Sequence, residues 1–309
     1  MSVHVIGGGF GGLAAAISLA AAGKEVILYE QQERLGGKAN TKMVGPFRFD
    51  TGPSLLTLPD VFVRLFQRAG REFSDYVQLE HLSPLTRYWF SDGTHFSSDT
   101  IERFIPTLTE ALSVTEEEVR RYFSYAQRIW DITHRVFLEQ SLHAMKTYLS
   151  RDTLRSLLRI GSIDLIRSMH AANASQFRDP RMVQLLDRYA TYNGSDPYQA
   201  PATLNNIAFV EHGLGGYGVC NGIHGIIEGM EKLARELGVH MHTNTKVTQI
   251  QKGDRHRYRL IVADQEVHAD AVVSDVDGLT LYEQLLHDPQ APLACRYRRM
   301  SPSSSAMVF

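Results

Sequence analysis

Cysteine is scarce in this chain, with Cys220 and Cys295 the two among 309 residues. A disulfide-stapled scaffold is excluded, and a reducing compartment is the simpler setting. Charge of one sign is missing as well, with 32 Lys and Arg against 34 Asp and Glu. A near-neutral chain has no global field to draw in nucleic acid, so none is expected as a partner. Long apolar runs are lacking too. The most apolar stretch near the start, Leu13 to Ala22, is about half of the roughly 20 residues needed to span a bilayer. No basic segment precedes it, so neither a membrane span nor a signal peptide is expected. No Walker loop or Gly-x-Ser-x-Gly elbow occurs. The 24 Gly and 11 Pro are ordinary for the length, which excludes collagen-like and low-complexity chains.

What is present begins with a strand, a tight turn, a helix and a second strand. Val3-His4-Val5-Ile6 is β-branched and apolar, and Gly7-Gly8-Gly9-Phe10-Gly11-Gly12 breaks it. Leu13 to Ala22 has high helix propensity, with Gly23 placed to end the helix. Glu25 to Glu30 reads as the second strand, completing a βαβ unit. Pro59 to Ala69 is predicted as a helix, with Ser54 or Thr57 as its cap. Gln78–Leu82, Thr86–Phe90 and His95–Ser98 read as short strands, the last two joined through Ser91-Asp92-Gly93-Thr94. From about Thr100 to Phe209 the apolar period is helical, most clearly over Glu116 to Glu139. A second α/β stretch follows, with a helix over Gly222–Leu237. Strands follow it at Val239–His242, Lys246–Ile250, Tyr258–Val262, Glu266–His268 and Ala271–Ser274. A last helix is predicted near Leu279 to Leu286. The helical middle is therefore expected to be an insertion between two pieces of one sheet domain.

Gly7-x-Gly9-x-x-Gly12 opens the first helix. Its first glycine permits a tight turn, its second a close backbone approach to a pyrophosphate, and its third the packing of helix on strand. Exposed amides and the macrodipole at the helix N-terminus favour an anion there. Glu30 stands 18 residues past Gly12, where a carboxylate can bind ribose hydroxyls. NAD(P) and FAD share this pattern. Arg34-Leu35-Gly36-Gly37-Lys38, directly after the ribose acid, favours FAD, because a glycine pair and a cation suit a second backbone approach to the pyrophosphate. A surface turn is the structural alternative. Gly52-Pro53-Ser54 is a turn that can pass flat against a planar ring, or equally a lead-in to the next helix.

These residues resemble the N-terminus of bacterial-type carotenoid desaturases, the phytoene and dehydrosqualene desaturases. The resemblance rests on Val3 to Glu30, Arg34 to Lys38 and Phe49 to Ser54. It continues in Pro59-Asp60-Val61-Phe62, Asp75 to Leu79, Phe90 to Thr94, Gly222 to Val239, Val273-Ser274-Asp275 and Met300 to Ser304. It implies an α/β fold of amine-oxidase-like architecture, with a Rossmann-like FAD-binding domain in two sequence pieces and an inserted α+β substrate domain. The implied parts are 1–75 and 213–290 for the FAD domain and 76–212 for a mostly helical substrate domain. Residues 291–309 would start a further substrate segment. The implied cofactor residues are Gly7, Gly9, Gly12, Glu30, Arg34, Gly36, Gly37, Lys38, Gly52, Pro53, Ser54 and Val247. Lys38 replaces the family's usual Arg, losing its bidentate fork, and Asn221-Gly222 replaces Gly-Gly. The implied reaction is FAD-dependent desaturation of a linear apolar polyene by hydride transfer to flavin. No residue is assigned as the catalytic base. The chain is expected to lack the family's C-terminal third, because it stops at Ala306-Met307-Val308-Phe309 inside an apolar strand. A missing C-terminal half or a second copy is the partner this implies. Alternatives are an amine or protoporphyrinogen oxidase of the same superfamily, or a non-catalytic fragment.

The 13 histidines invite a metal site, but His240, His242 and His268 lack companion ligands at familiar spacing, and none is expected. Cys220 is expected to be a small buried residue. Lys146, Arg151, Arg155, Arg159 and Arg167 alternate with apolar residues. They read as a solvated helix face, or as a patch resting on anionic lipid. The expected location is cytoplasmic, with peripheral membrane contact through that stretch.

Overall fold

The computed structural model of the chain describes residues 1–138, 160–253 and 258–303. Lys146, Arg151, Arg155 and Arg159 lie outside them, as does the segment Ala306 to Phe309. The chain divides into two compact units, built mainly from residues 1–80 with 217–302, and from 81–216.

The first unit is organised around a parallel sheet. β1 (Ser2–Ile6) leads through the glycine turn into α1 (Phe10–Ala21), and β2 (Glu25–Tyr29) returns beside β1. A hairpin of β3 (Thr41–Val44) and β4 (Phe47–Asp50) follows, then α2 (Asp60–Arg68). The chain re-enters the unit as α3 (His224–Glu236), which ends at β5 (His240–His242), and later supplies β6 (Ala271–Ser274). The sheet order is β6-β1-β2-β5, all parallel. Val5, Leu13, Ala16, Ile17, Val26 and Leu28 form one core with Ile226, Ile227, Met230 and Leu233 of α3. An antiparallel meander of Val247–Lys252, Tyr258–Val262 and Gln265–Ala269 packs a smaller core beside it.

Local chemistry explains the boundaries. α1 starts at Phe10 rather than Leu13, because the turn is complete at Gly9, which takes the N-cap position. Gly23 follows its last turn at φ +74, the left-handed geometry that closes helices. Neither Ser54 nor Thr57 caps α2; Pro59 occupies the cap position itself, without a side-chain hydrogen bond. The predicted last helix is shorter and irregular. Asp277 accepts from the Leu279 and Thr280 amides, and the turn widens to a π-turn over Leu281–Leu285. Cys220 is exposed, a correction to its expected burial. It sits at the end of the Tyr217–Val219 strand, ahead of Asn221 and Gly222, which turn through φ 69 and 78. Its thiol donates to Glu80, which holds it above the ordinary range.

The second unit has its own core. Phe104, Ile105 and Leu108 of the helix Ile101–Ala111 meet Val119, Tyr122 and Phe123 of the helix Glu116–Leu138. Met182, Leu186, Tyr189 and Phe209 close it. A polar knot sits inside. Glu211, fully buried, accepts from Arg188 Nη2 at 2.8 Å and from the Tyr192 hydroxyl. His212 Nδ1 lies 2.7 Å from the Asp99 carbonyl oxygen, which can only accept. Nδ1 is therefore the donor, and Nε2 accepts from the Tyr189 hydroxyl at 2.6 Å. Burial lowers the His212 pKa, in keeping with a neutral ring. Arg167 pairs with Asp164, and Ile166 beside it is 99% exposed. Among the described residues, no helix is long and apolar enough to cross a membrane.

Asp179 ties this unit together locally. It caps the helix Pro180–Asp187, accepts from the Ser113 amide, and pairs with the Arg181 guanidinium, which draws its carboxyl down to about 2. A depressed carboxyl contributes stability above its unfolded value of 3.8 and loses it as pH falls toward 2. Denaturant titration should show Asp179→Asn less stable than wild type by about 2 kcal/mol at neutral pH. That gap should narrow between about pH 4 and pH 2. A gap that does not change over that range would refute the assignment.

Candidate functional site

The N-terminal end of α1 and the C-terminal ends of β1 and β2 open onto one cavity of about 910 Å³. Gly7, Gly8, Gly9 and Phe10 form its floor, with Glu30 to Arg34, Gly36 to Lys42, Thr51, Pro53, Asp275 and Val276 around it. A smaller cavity of about 150 Å³ shares Gly7, Glu30, Gln31 and Val276 with it and is walled by Tyr29, Thr245, Lys246, Val247 and Leu285.

The glycine loop has its shape for steric reasons. A Cβ on Gly12 would run into the Gly7 carbonyl oxygen, so α1 crosses β1 at a distance no other residue allows. No side chain caps α1, and its first turn carries no acidic residue. The amides there are left for an anion. Glu30 is buried, 7% exposed. Its Oε2 accepts from the Gly8 amide at 2.8 Å and its Oε1 from the Gln32 amide at 2.8 Å. The carboxylate thus fixes both the glycine loop and the turn after β2, while each oxygen has a further lone pair to offer. The second loop is tied to the first, because Gly36 N donates to Gly8 O at 2.8 Å. Gly36 and Gly37 stand at φ +124 and +55, which L side chains rarely adopt. His224 Nδ1, at the start of α3, donates to the Ala39 carbonyl oxygen at 3.0 Å.

Of the residues singled out in the sequence, Gly7, Gly9, Glu30, Arg34, Gly36, Gly37, Lys38 and Pro53 line the larger cavity. Val247 lines the smaller one, its side chain buried. Gly12, Gly52 and Ser54 line neither. Gly12 serves the helix crossing, Gly52 lies against the Lys38 carbonyl oxygen, and Ser54 is exposed. Sequence reasoning missed Asp275, Lys42 and Thr245 to Lys246, which stand at the cavities. The signal for Asp275 was its place directly after the apolar strand Ala271–Ser274, since ligands in open parallel sheets gather at strand C-terminal ends. Among the described residues, no group of three or more His, Cys, Asp or Glu is placed to hold a metal ion. His240 and His242 are both exposed.

Uncapped amides, a close glycine crossing and a buried acid beside a long cavity suit a dinucleotide. The sequence model of the flavin-containing amine oxidoreductases matches residues 10–306. The chain belongs to that family. The cofactor the family implies is FAD, and the cavity has the donors such a group requires. A 4,4'-diapolycopene oxygenase of Methylomonas is 36% identical over 99% of this chain, and a 1-hydroxycarotenoid 3,4-desaturase of Flavobacterium is 33% identical over 99%. The chain spans 62% of the length of each of these curated relatives. An oxidoreductase of known structure from Methanosarcina mazei shares the fold, with a TM-score of 0.65 and 18% identity over 96% of this chain and 64% of that one.

Gly12→Ala tests the crossing of α1 on β1 in this flavoprotein-family chain. The added methyl should cost ~1–3 kcal/mol of stability through overpacking and abolish FAD retention. Gly161→Ala, with open space around it and no left-handed φ, should leave FAD retention intact. A Gly12→Ala protein that melts and binds FAD like wild type would show the crossing to be loose.

Proposed function

We propose that this chain is the flavin-binding part of an oxidoreductase that dehydrogenates a linear apolar polyene of the carotenoid class. The observation that carries this reading is the kinship, at 36% and 33% identity over 99% of the chain, with a diapolycopene oxygenase and a hydroxycarotenoid desaturase. Dehydrogenation removes a hydride and a proton from neighbouring carbons and leaves a C=C bond; a bound flavin supplies the hydride acceptor. The chain's own residues do the holding. The α1 amides at Gly9 to Gly12, with Arg34 and Lys38, would meet the FAD diphosphate. Glu30 would accept from the adenosine ribose while keeping the Gly8 amide in place. Gly36 and Gly37 would give the second backbone approach, and Thr245 to Val247 would flank the adenine. Pro53, which lines the larger cavity, would border the isoalloxazine, with Gly52 setting the turn before it. The substrate would be held by apolar side chains that exclude water, and contact with a membrane through the Lys146–Arg167 stretch would bring the protein to it.

Oxygenation is the second reading, favoured by the oxygenase name of the 36% identical relative. Expression in cells that accumulate phytoene or dehydrosqualene separates the two. Mass spectrometry of the extracted pigment should show loss of two hydrogens per step with a red-shifted absorption. Gain of oxygen without further desaturation would favour the oxygenase reading. A soluble, flavin-loaded protein that leaves every polyene unchanged would exclude both.

A further inference from the structure

Asp275 is, with Glu30, one of two acidic residues among the described residues that reach the glycine loop from outside it. Its backbone amide donates to the Ile6 carbonyl oxygen at 2.8 Å, which pins it to the end of β1. The Val276 amide donates to Ser274 Oγ at 3.3 Å and tightens the same turn. The carboxylate so placed lies over the N-terminal end of α1. Its Oδ2 would be 3.0 Å from a Cβ on Gly9, and its Oδ1 would collide with one on Gly11. The bare backbone at these glycines makes room for the Asp275 carboxylate as much as for a ligand. Among the described residues that carboxylate has no hydrogen-bond or ion-pair partner, and it faces the 910 Å³ cavity.

Helix N-termini favour negative charge, and here one negative group is built in before any ligand arrives. The cavity lining carries Arg34, Lys38 and Lys42 against Glu30, Glu33 and Asp275. Glu30 is already engaged with two amides, so Asp275 is the carboxylate nearest to the loop that has nothing to neutralise it. A site that takes a diphosphate gains from excess positive charge; this one is balanced.

We propose that Asp275 sets the dinucleotide affinity of this cavity by competing, as a built-in carboxylate, with the cofactor's diphosphate for the N-terminal end of α1. The proposal rests on the reading that the cavity receives FAD. It makes Asp275 a residue that weakens binding, selectively for ligands with phosphate charge. An unperturbed helix end would hold the diphosphate more tightly, so the chain trades retention of its cofactor for exchange.

The test is a titration of the purified chain and its Asp275→Asn and Asp275→Glu variants with FAD, ADP and adenosine, followed by calorimetry. Removing one charge a few ångströms from the diphosphate in a solvent-filled cavity should tighten FAD and ADP binding about tenfold in Asp275→Asn. Adenosine binding should not change, which also checks that the variant is folded. Asp275→Glu should stay at the wild-type level, and the advantage of Asp275→Asn should shrink as salt is raised. Wild type that binds FAD while Asp275→Asn binds it equally or more weakly overturns the proposal, because the carboxylate would then be a bystander or an acceptor for cofactor hydroxyls. Equal tightening for ADP and adenosine also overturns it, since that effect would not be electrostatic. If neither wild type nor variant binds FAD or ADP, the flavin reading fails first and takes the proposal with it.

Discussion

Everything around the cavity depends on how closely α1 approaches the end of β1. Gly12 lies against the Gly7 carbonyl with no room for a methyl group. That contact places the uncapped amides of α1 over the C-terminal end of the sheet. From there the other tethers follow. Glu30, at the end of β2, reaches the Gly8 amide. Gly36 N reaches Gly8 O, and Asp275, at the end of β6, reaches Ile6 O. The segment after β2 and the distant turn after β6 are thus hung on the end of β1 and its glycine turn, two of the three tethers being backbone hydrogen bonds.

The electrostatics of the first unit are built on the same turn. A buried carboxylate is costly unless its oxygens are satisfied, and Glu30 is satisfied by two amides. Asp275 is not, and it is solvated by the cavity instead. Two acids at the loop therefore play opposite parts: one holds the backbone, the other adds charge where an anion belongs. The second unit solves the same problem differently. There Glu211 is enclosed by Arg188, Tyr189 and Tyr192. Breaking such a knot by removing one partner is strongly destabilising, although a well-packed apolar cluster can be as stable.

Several elements were legible because local rules and tertiary needs agreed. The strand, glycine turn, helix and strand of residues 2–29 each follow from β-branching, glycine spacing and helix propensity, and the parallel sheet needed all of them. Strands at His95–Ser98, Tyr258–Val262 and Ala271–Ser274 stand at the residues predicted for them. Other readings failed where a turn outranked composition. Cys220 looked like a small core residue, but the left-handed pair after it turns the chain outward. The helix predicted near Leu279 to Leu286 has its start set by the Asp277 cap and widens to a π-turn, and a further helix, Pro292–Arg298, follows it.

The sequence by itself determined the nucleotide-type turn, the family and the residues that needed to be glycine, since each is a local demand on backbone geometry. It also determined that the charge is balanced, though not where each charge sits. The tertiary structure alone decided that Gly52 serves backbone packing rather than lines the cavity, and that Glu30 anchors two amides. It also decided that a carboxylate 263 residues after Gly12 comes to rest against the same helix end. The physical reason is the parallel sheet. It brings the C-terminal ends of distant strands to one edge, and no local pattern records which side chains will meet there.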